Sequence, residues 1–449
     1  MDQYSKIFKA YDIRGVVPDE LDESVAEVIG GAFARLTGAS SIAIMHDMRT
    51  SSPLLAEAFA RGVCSQGTGV IAGGLGATDM LYYASGSLGI PGAMITASHN
   101  PSKYNGIKLC RSGAKPVGAD SGLTELRAMA EQGLPPQQGP EGTVTDQDLL
   151  PGYSSYLKNL VDLSGIRPLK AAVDAGNGMA GHTVPHVFEG LPITLVPLYF
   201  ELDGSFPNHE PNPIDPANLA DLQRAVLQHG ADVGLAFDGD ADRCFVVDER
   251  AQIVSPSVLT ALIAERELAR EPGATIIHNL ITSRAVPEIV AEHGGHPVRT
   301  RVGHSFIKAR MAETGAVFGG EHSGHFYFRD CWFADSGMLA ALHVLAALGT
   351  QDAPLSRLLA SYGRYAASGE INSEVADQQA ATEAVRQAFA GRPGISMDEL
   401  DGLTVTGEDW WFNVRPSNTE PLLRLNVEAA DEPTLAARRD EVLHIVRGG

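Results

Sequence analysis

Three times along this chain an apolar run of strand length breaks directly into polar, glycine-rich sequence. "GAMITAS" (residues 92–98) leads into "HNPSKYNGIK", "ADVGLAF" (231–237) into "DGDADR", and "GAVFGG" (315–320) into "EHSGH". Each of these runs follows other strand-like stretches. In the first third, "SIAIMHD" (41–47) and "GVIAGG" (69–74) alternate with helical sequence such as "DESVAEVIGGAFARL" (22–36); the pattern restarts with "LKAAVDAGNG" (169–178) and "ITLVPL" (193–198), and again with "ATIIHNL" (274–280) and "VRTRVGHS" (298–305). Strands that alternate with helices predict βαβ units and mostly parallel sheets. The chain therefore reads as three α/β blocks of similar size, and in open α/β sheets ligands gather at the carboxyl ends of the strands.

The remainder is of another kind. After helical "QQAATEAVRQAFA" (378–390) come two strand-like runs in "GLTVTGEDWWFNVRPSNTEPLLRLNVEA" (402–429), joined by a polar loop, and a last helix from about 433. This predicts a small α+β domain with antiparallel strands. The Pro/Gly/Gln-rich piece "EQGLPPQQGPEG" (131–142) marks the end of the first block. The expected division is 1–147, 148–252, 253–364 and 365–449.

A formal net charge of −21 over 449 residues argues against nucleic acid or an acidic membrane as partner, since phosphate backbones require clustered Lys and Arg. A small anionic substrate remains compatible if basic residues converge locally. The opening "MDQYSKIFKAYDIRG" lacks the apolar core of a signal peptide, and no later run is long enough to span a bilayer, so a cytoplasmic enzyme is expected. Cys64, Cys110, Cys244 and Cys331 are far apart and form no CxxC pair, which suggests neither a zinc site nor a disulfide framework.

Four polar clusters carry the chemistry. In "TASHNPSKYNGIK" (96–108) Ser98 precedes His99, but neighbours on an extended strand point to opposite faces, so a Ser-His dyad is not expected. A GxSxG elbow is also missing. An unactivated hydroxyl is a poor nucleophile, and this stretch alone leaves Ser98 open between a reactive group and a turn residue. Lys108 supplies a point charge suited to phosphate. In "FDGDADR" (237–243), Asp238, Asp240 and Asp242 would repel one another unless a cation neutralised them, and hard oxygen ligands at close spacing suit Mg²⁺. An EF-hand loop would need glycine where Arg243 stands, even though Glu249 falls at its twelfth position.

"GEHSGH" (320–325) offers Glu321, Ser323 and His325 at alternate positions, which an extended segment would turn to one side and toward a polyol. "RPSNTEPLLR" (415–424) brings Arg415, Ser417, Asn418, Thr419 and Arg424 into one turn, a phosphate receptor or a hairpin loop whose Ser and Asn cap backbone groups.

In this order, from "YDIRG" (11–15) to "RPSNTEPLLR", the clusters resemble the α-D-phosphohexomutase superfamily, and most closely its bacterial phosphomannomutase/phosphoglucomutase branch. The resemblance implies three related mixed α/β domains and a smaller C-terminal α+β domain around a central cleft. It makes Ser98 the phosphoserine, with Asp238, Asp240 and Asp242 holding Mg²⁺ and a phosphoserine oxygen completing its sphere. It places Tyr11, Arg14, His99, Lys108 and Arg243 at the phosphoryl-transfer site, and Glu321 and Ser323 on sugar hydroxyls with His304 and His325 nearby. Arg415, Ser417, Asn418 and Thr419, with Arg424, would anchor the phosphate that is not transferred. The implied activity interconverts hexose 1-phosphate and 6-phosphate, mannose and also glucose, through glucose or mannose 1,6-bisphosphate. Oligomeric state is not implied. "GEHSGH" and the Asn of "RPSNTEP" resemble this branch more than phosphoglucosamine mutases, which usually show "RPSGTEP". Some relatives carry a basic residue near the first strand end of the third block, where "HNLITSRA" offers Asn279 and Arg284. A phosphoglucosamine mutase, a nonenzymatic sugar-phosphate sensor and a Mg²⁺-dependent sugar phosphatase are the competing readings.

Overall fold

The computed structural model describes residues 3–135, 139–417 and 422–448. The first sheet runs in the order Ile13–Val16, Tyr104–Arg111, Gly92–Ile95, Ser41–His46, Gly69–Leu75, Val144–Asp146. Its centre is parallel, and Tyr104–Arg111 turns back antiparallel to Gly92–Ile95. The last edge strand lies beyond the Pro/Gly/Gln-rich piece, so the chain returns to the first sheet after it. Helices Glu23–Thr37 and Ser52–Ser65 pack closely against each other. Asp22 starts the former by accepting a hydrogen bond from the Val25 N–H. Gly62 allows the close approach: a Cβ there would sit 1.8 Å from the Glu27 carbonyl oxygen.

The second sheet has the order Ile253–Val254, Cys244–Asp248, Val233–Phe237, Leu169–Asp174, Ile193–Leu198, and the third His296–Thr300, Thr275–Asn279, Phe318–Gly320, Phe326–Phe328, Ala334–Asp335. In both, parallel strands end in an antiparallel hairpin. All three sheets thus share one plan, and in each the polar cluster forms the tip of that hairpin: residues 96–103, 238–243 and 321–325. The fourth sheet, Ala366–Glu374, Leu422–Ala429, Trp410–Pro416, Leu403–Thr406, Ser396–Asp398, is antiparallel throughout. It puts "RPSNTEPLLR" at a fourth hairpin. The first three sheets are mixed rather than mostly parallel, because the strand leaving each polar tip pairs back on the one that entered it.

One continuous core joins the first three blocks. It includes the helix Gly337–Gly349, apolar except for His343, whose residues are all buried, as such a pattern requires. The fourth block has its own core around Phe389, Phe412, Leu425 and Val442. It meets the third where Trp411 packs against Leu280 and Ile281 and donates to Glu428, which also accepts from the Arg284 N–H. Among the described residues no helix is long and apolar enough to cross a membrane.

Candidate active site

The strand Gly92–Ile95 delivers its chain into a loop that four carbonyls clamp onto one side chain. The buried Arg49 guanidinium donates to the carbonyl oxygens of Ser98, Asn100, Pro101 and Tyr104 at 2.6–3.0 Å and lies 3.3 Å from Asp47. The Ser98 N–H donates to Thr96 Oγ1, and Ser98 adopts φ 51°, a left-handed conformation that a non-glycine residue holds only where its surroundings enforce it. This changes the expected relation to His99. Because the chain is not extended at Ser98, alternation fails, and His99 Nδ1 comes within 3.3 Å of Ser98 Oγ. Burial, with Arg243 and Arg14 close by, drives the His99 pKa far down, so its ring is neutral.

Ser98 Oγ also donates to Asp238 Oδ2 at 3.0 Å. Asp238, Asp240 and Asp242 are buried, each offering an oxygen within 4.8 Å of the others. Burial, opposed by the Arg243 guanidinium and reinforced by Asp242 and Asp240, pushes the Asp238 pKa above the usual carboxylate range. At Asp240 burial is outweighed by the Lys108 ammonium and by hydrogen bonds from Lys108, Thr78 and Ser98, and its pKa falls. Arg243 donates through its backbone N–H and Nε to the two Asp238 oxygens. Lys108 bridges Asp240 Oδ2 and Asp242 Oδ2 at 2.6 and 2.7 Å, and Thr78 donates to Asp240 Oδ2 as well.

These contacts occupy one side of the pair and leave Oδ1 of Asp240 and of Asp242 buried without a hydrogen-bond partner. Unpartnered carboxylate oxygens crowded in this way fit a hard divalent cation, so the trio suits a metal ion of that kind. A close approach of backbones brings this loop to the serine loop: a Cβ on Gly239 would lie 2.5 Å from the Ser98 carbonyl oxygen. Arg14 donates to Asn100 of the same loop and to Asp12. Tyr11 reaches the third block, its hydroxyl 3.1 Å from where a Gly303 Cβ would stand.

The "GEHSGH" tip is a tight turn, so the alternation that an extended segment would give does not hold. The Glu321 N–H donates to the His325 carbonyl, and Gly324 sits at φ 86°. Glu321 consequently faces inward, 2% exposed, and accepts hydrogen bonds from Tyr327, Asn279 and the Gly303 N–H. His325 Nδ1 is 3.1 Å from Ser323 Oγ, and its Nε2 is 3.9 Å from Asp242 and 3.8 Å from Asp335, placing the ring beside the carboxylates of Asp242 and Asp335. Of the two residues offered by "HNLITSRA", Asn279 points to Glu321, whereas the Arg284 guanidinium stacks over Tyr365. The helix His304–Thr314 begins at His304, whose side chain, like Asn418 and Thr419, lies outside the described residues. Arg415 and Arg424 face each other across the last hairpin, and the Ser417 N–H donates to the Leu422 carbonyl.

The chain matches, in order, the families described as phosphoglucomutase/phosphomannomutase alpha/beta/alpha domain I over residues 5–133, domain II over 151–251, domain III over 255–365, and the C-terminal domain over 370–445. The chain belongs to the phosphoglucomutase/phosphomannomutase family. It is 40% identical to a phosphomannomutase of Escherichia coli over 98% of its own length and 99% of the relative's. It is also 40% identical to the phosphohexose mutases of Xanthomonas campestris pv. campestris, over 98% and 99% of the two chains. Among solved structures, a phosphoglucomutase/phosphomannomutase family protein from Burkholderia thailandensis superimposes with a TM-score of 0.90 at 34% identity, covering 100% of this chain and 99% of that one.

Several residues of this mutase that shape the site carry no sequence signal. Arg49 and Thr78 act on residues 49 and 162 positions away, and no local pattern marks "HDMRTS" or "GATDM". Lys308 pairs with Asp335 at 2.6 Å beneath the Tyr82 and Tyr327 rings. A lysine inside the mixed sequence "HSFIKARM" could be read as buried only after its helix was placed.

Proposed function

We propose that this mutase interconverts hexose 1-phosphates and hexose 6-phosphates, taking mannose and also glucose, through phosphorylated Ser98 and a 1,6-bisphosphate. It does so as a cytoplasmic enzyme whose partners are small sugar phosphates. The observation that carries the reading is the Ser98 hydroxyl 3.0 Å from Asp238 at the meeting of two hairpin tips, within a trio of carboxylates suited to a divalent cation.

In the first half-reaction the free sugar hydroxyl attacks the Ser98 phosphoryl group. The new phosphorus–oxygen bond forms as the bond to Ser98 Oγ breaks, leaving the serine hydroxyl and a bisphosphate. Arg14, Arg243 and Lys108 line this step, and Mg²⁺ on Asp238, Asp240 and Asp242 would add positive charge against the phosphoryl oxygens. Such groups act through placement and charge. The bisphosphate then turns, and its other phosphate passes back to Ser98. For that attack the serine must lose its proton; His99 Nδ1 stands 3.3 Å from Oγ, but the burial and the arginines that keep its ring neutral also make it a weak proton acceptor, so its role is to position the hydroxyl. Glu321, Ser323 and His325 would hold sugar hydroxyls, while Arg415, Ser417, Asn418 and Thr419, with Arg424, grip the phosphate at rest.

A coupled assay with mannose 1-phosphate, glucose 1-phosphate and glucosamine 1-phosphate, with and without a trace of 1,6-bisphosphate, tests the reading. Turnover of the first two is expected. Dominant glucosamine turnover would move the chain to another branch, and release of inorganic phosphate would make it a phosphatase. Loss of a phosphatase-sensitive mass from the protein in Ser98→Ala separates a phosphoryl carrier from a sensor.

A further inference from the structure

The phosphate anchor of the fourth block contains an acidic residue that the sequence motif does not include. Arg415 and Arg424 are direct cross-strand partners, a like-charge pairing that is destabilising by itself. Glu370 lies on the neighbouring strand, opposite Asn426 and so diagonal to Arg424. Its carboxylate sits 3.7 Å from Arg415 Nη2 and 3.5 Å from Arg424 Nη1. A β-bulge falls between Ala367 and Glu370, where Gly369 takes φ 66°, and bulges re-aim the side chains beside them.

The pairing is electrostatic and incomplete. Both separations are at or beyond the limit of a good hydrogen bond, and the buried Nε atoms of Arg415 and Arg424 have no hydrogen-bond partner. Two guanidiniums share one carboxylate, leaving a net positive charge and unused donors suited to a phosphate. Glu370 remains partly accessible, its side chain 28% exposed, and it acts electrostatically on His322 of the sugar-loop turn. The carboxylate is therefore on the side of the anchor that faces the third block.

We propose that Glu370 is the resident counter-anion of the anchor, holding its two guanidiniums together and competing with the substrate phosphate for them. The proposal rests on the mutase reading, in which one anchor must accept either end of the bisphosphate and let it go in between. An anchor that binds ground states too tightly lowers KM without raising kcat and slows any release step on which turnover depends. Glu370 keeps the anchor weak enough for the intermediate to turn.

The test uses the full chain and mannose 6-phosphate as probe. In a Ser98→Ala background, where turnover is blocked, calorimetry on Glu370→Gln should show binding about five- to tenfold tighter, the scale of removing one partly exposed charge contact at a binding site. With Ser98 intact, Glu370→Gln should lower both KM and kcat. Glu370→Asp, which retains the charge, should stay near the parent in both and covers the case in which the amide weakens the sheet. Unchanged or weaker binding in Glu370→Gln, or a raised KM at constant kcat, overturns the proposal and leaves Glu370 as a support for the arginines. Arg415→Ala addresses the anchor separately: it should weaken binding, and if it does not, the anchor reading falls and the role of Glu370 with it.

Discussion

The hydroxyl of Thr78, in the first turn of a helix in the first block, donates to Oδ2 of Asp240 in the second block, and the Thr78 N–H donates to the Asp240 carbonyl at 3.0 Å. Thr78 thus sets both the loop that carries Asp240 and the rotation of its carboxylate, turning Oδ1 to the side left unpartnered. Groups that orient metal ligands typically contribute about 10- to 100-fold to metal affinity. Thr78→Val, equal in shape but without the hydroxyl, should therefore bind Mn²⁺ about 10- to 100-fold more weakly by electron paramagnetic resonance titration, and Thr78→Ser should restore most of it. Equal affinity in the valine variant would remove Thr78 from the metal site.

Arg49 offers a prediction about placement. Its planar fork satisfies four carbonyls of the serine loop, a pattern that an ammonium cannot reproduce. Arg49→Lys keeps a positive charge beside Asp47, so the fold should survive, while the loop carrying Ser98 loses its template. Displacement of a reacting group by about 1 Å costs roughly 10²-fold, and steady-state kinetics should show kcat reduced on that scale with the thermal midpoint moved by only a few degrees. A lysine variant with full kcat would show that the loop holds itself.

These two residues also mark the limit of what the sequence discloses. The first three hairpin tips were legible because each concentrates polar residues within a few positions: a serine before a histidine, alternate aspartates, and Glu321, Ser323 and His325 between glycines. The three α/β blocks were legible because apolar runs of strand length recur with helical segments between them. What surrounds the tips was not, since Arg49, Thr78 and Glu370 reach their partners through tertiary contact alone. Local geometry is less legible than chemistry. The sequence suggests extended backbone at Ser98, and at 321–325 an alternation that holds only if the segment is extended; the positive φ of Ser98 and of Gly324 breaks both patterns, bringing His99 to the serine and closing 321–325 into a turn.

The fully buried Asp79 ties the first three blocks together and gives the protein a pH-dependent stability. It accepts from the Tyr153 hydroxyl at 2.8 Å on both oxygens and from Ser336 at 2.5 Å. Burial nevertheless pushes its carboxyl up to about 7, against about 3.9 in an unfolded chain. Between those values the folded protein retains a proton that the unfolded chain has released. Stability from this group is therefore lost as pH rises through the window, and is level above it. Asp79→Asn cannot titrate, so its thermal midpoint relative to the parent should rise from pH 5 to about pH 7 and then stay constant. A pH-independent difference would mean that Asp79 is ionised in the folded protein throughout.

Gly239 separates the assembly of the site from the folding of its parts. It lies between Asp238 and Asp240, and a Cβ there would meet the Ser98 carbonyl oxygen at 2.5 Å and Pro211 at 3.4 Å. The first contact is with backbone, which cannot rotate aside as a side chain could. Gly239→Ala must therefore part the serine loop from the metal loop, lengthening the 3.0 Å link between Ser98 and Asp238 while leaving the packing of each sheet intact. Activity should fall by roughly 10²-fold or more, as expected for displacement of reacting groups. The aspartates themselves remain together, so Mn²⁺ affinity should change far less than in Thr78→Val. Retention of activity in Gly239→Ala would mean that Ser98 need not approach the carboxylate trio, and would remove the contact on which the phosphoserine reading rests.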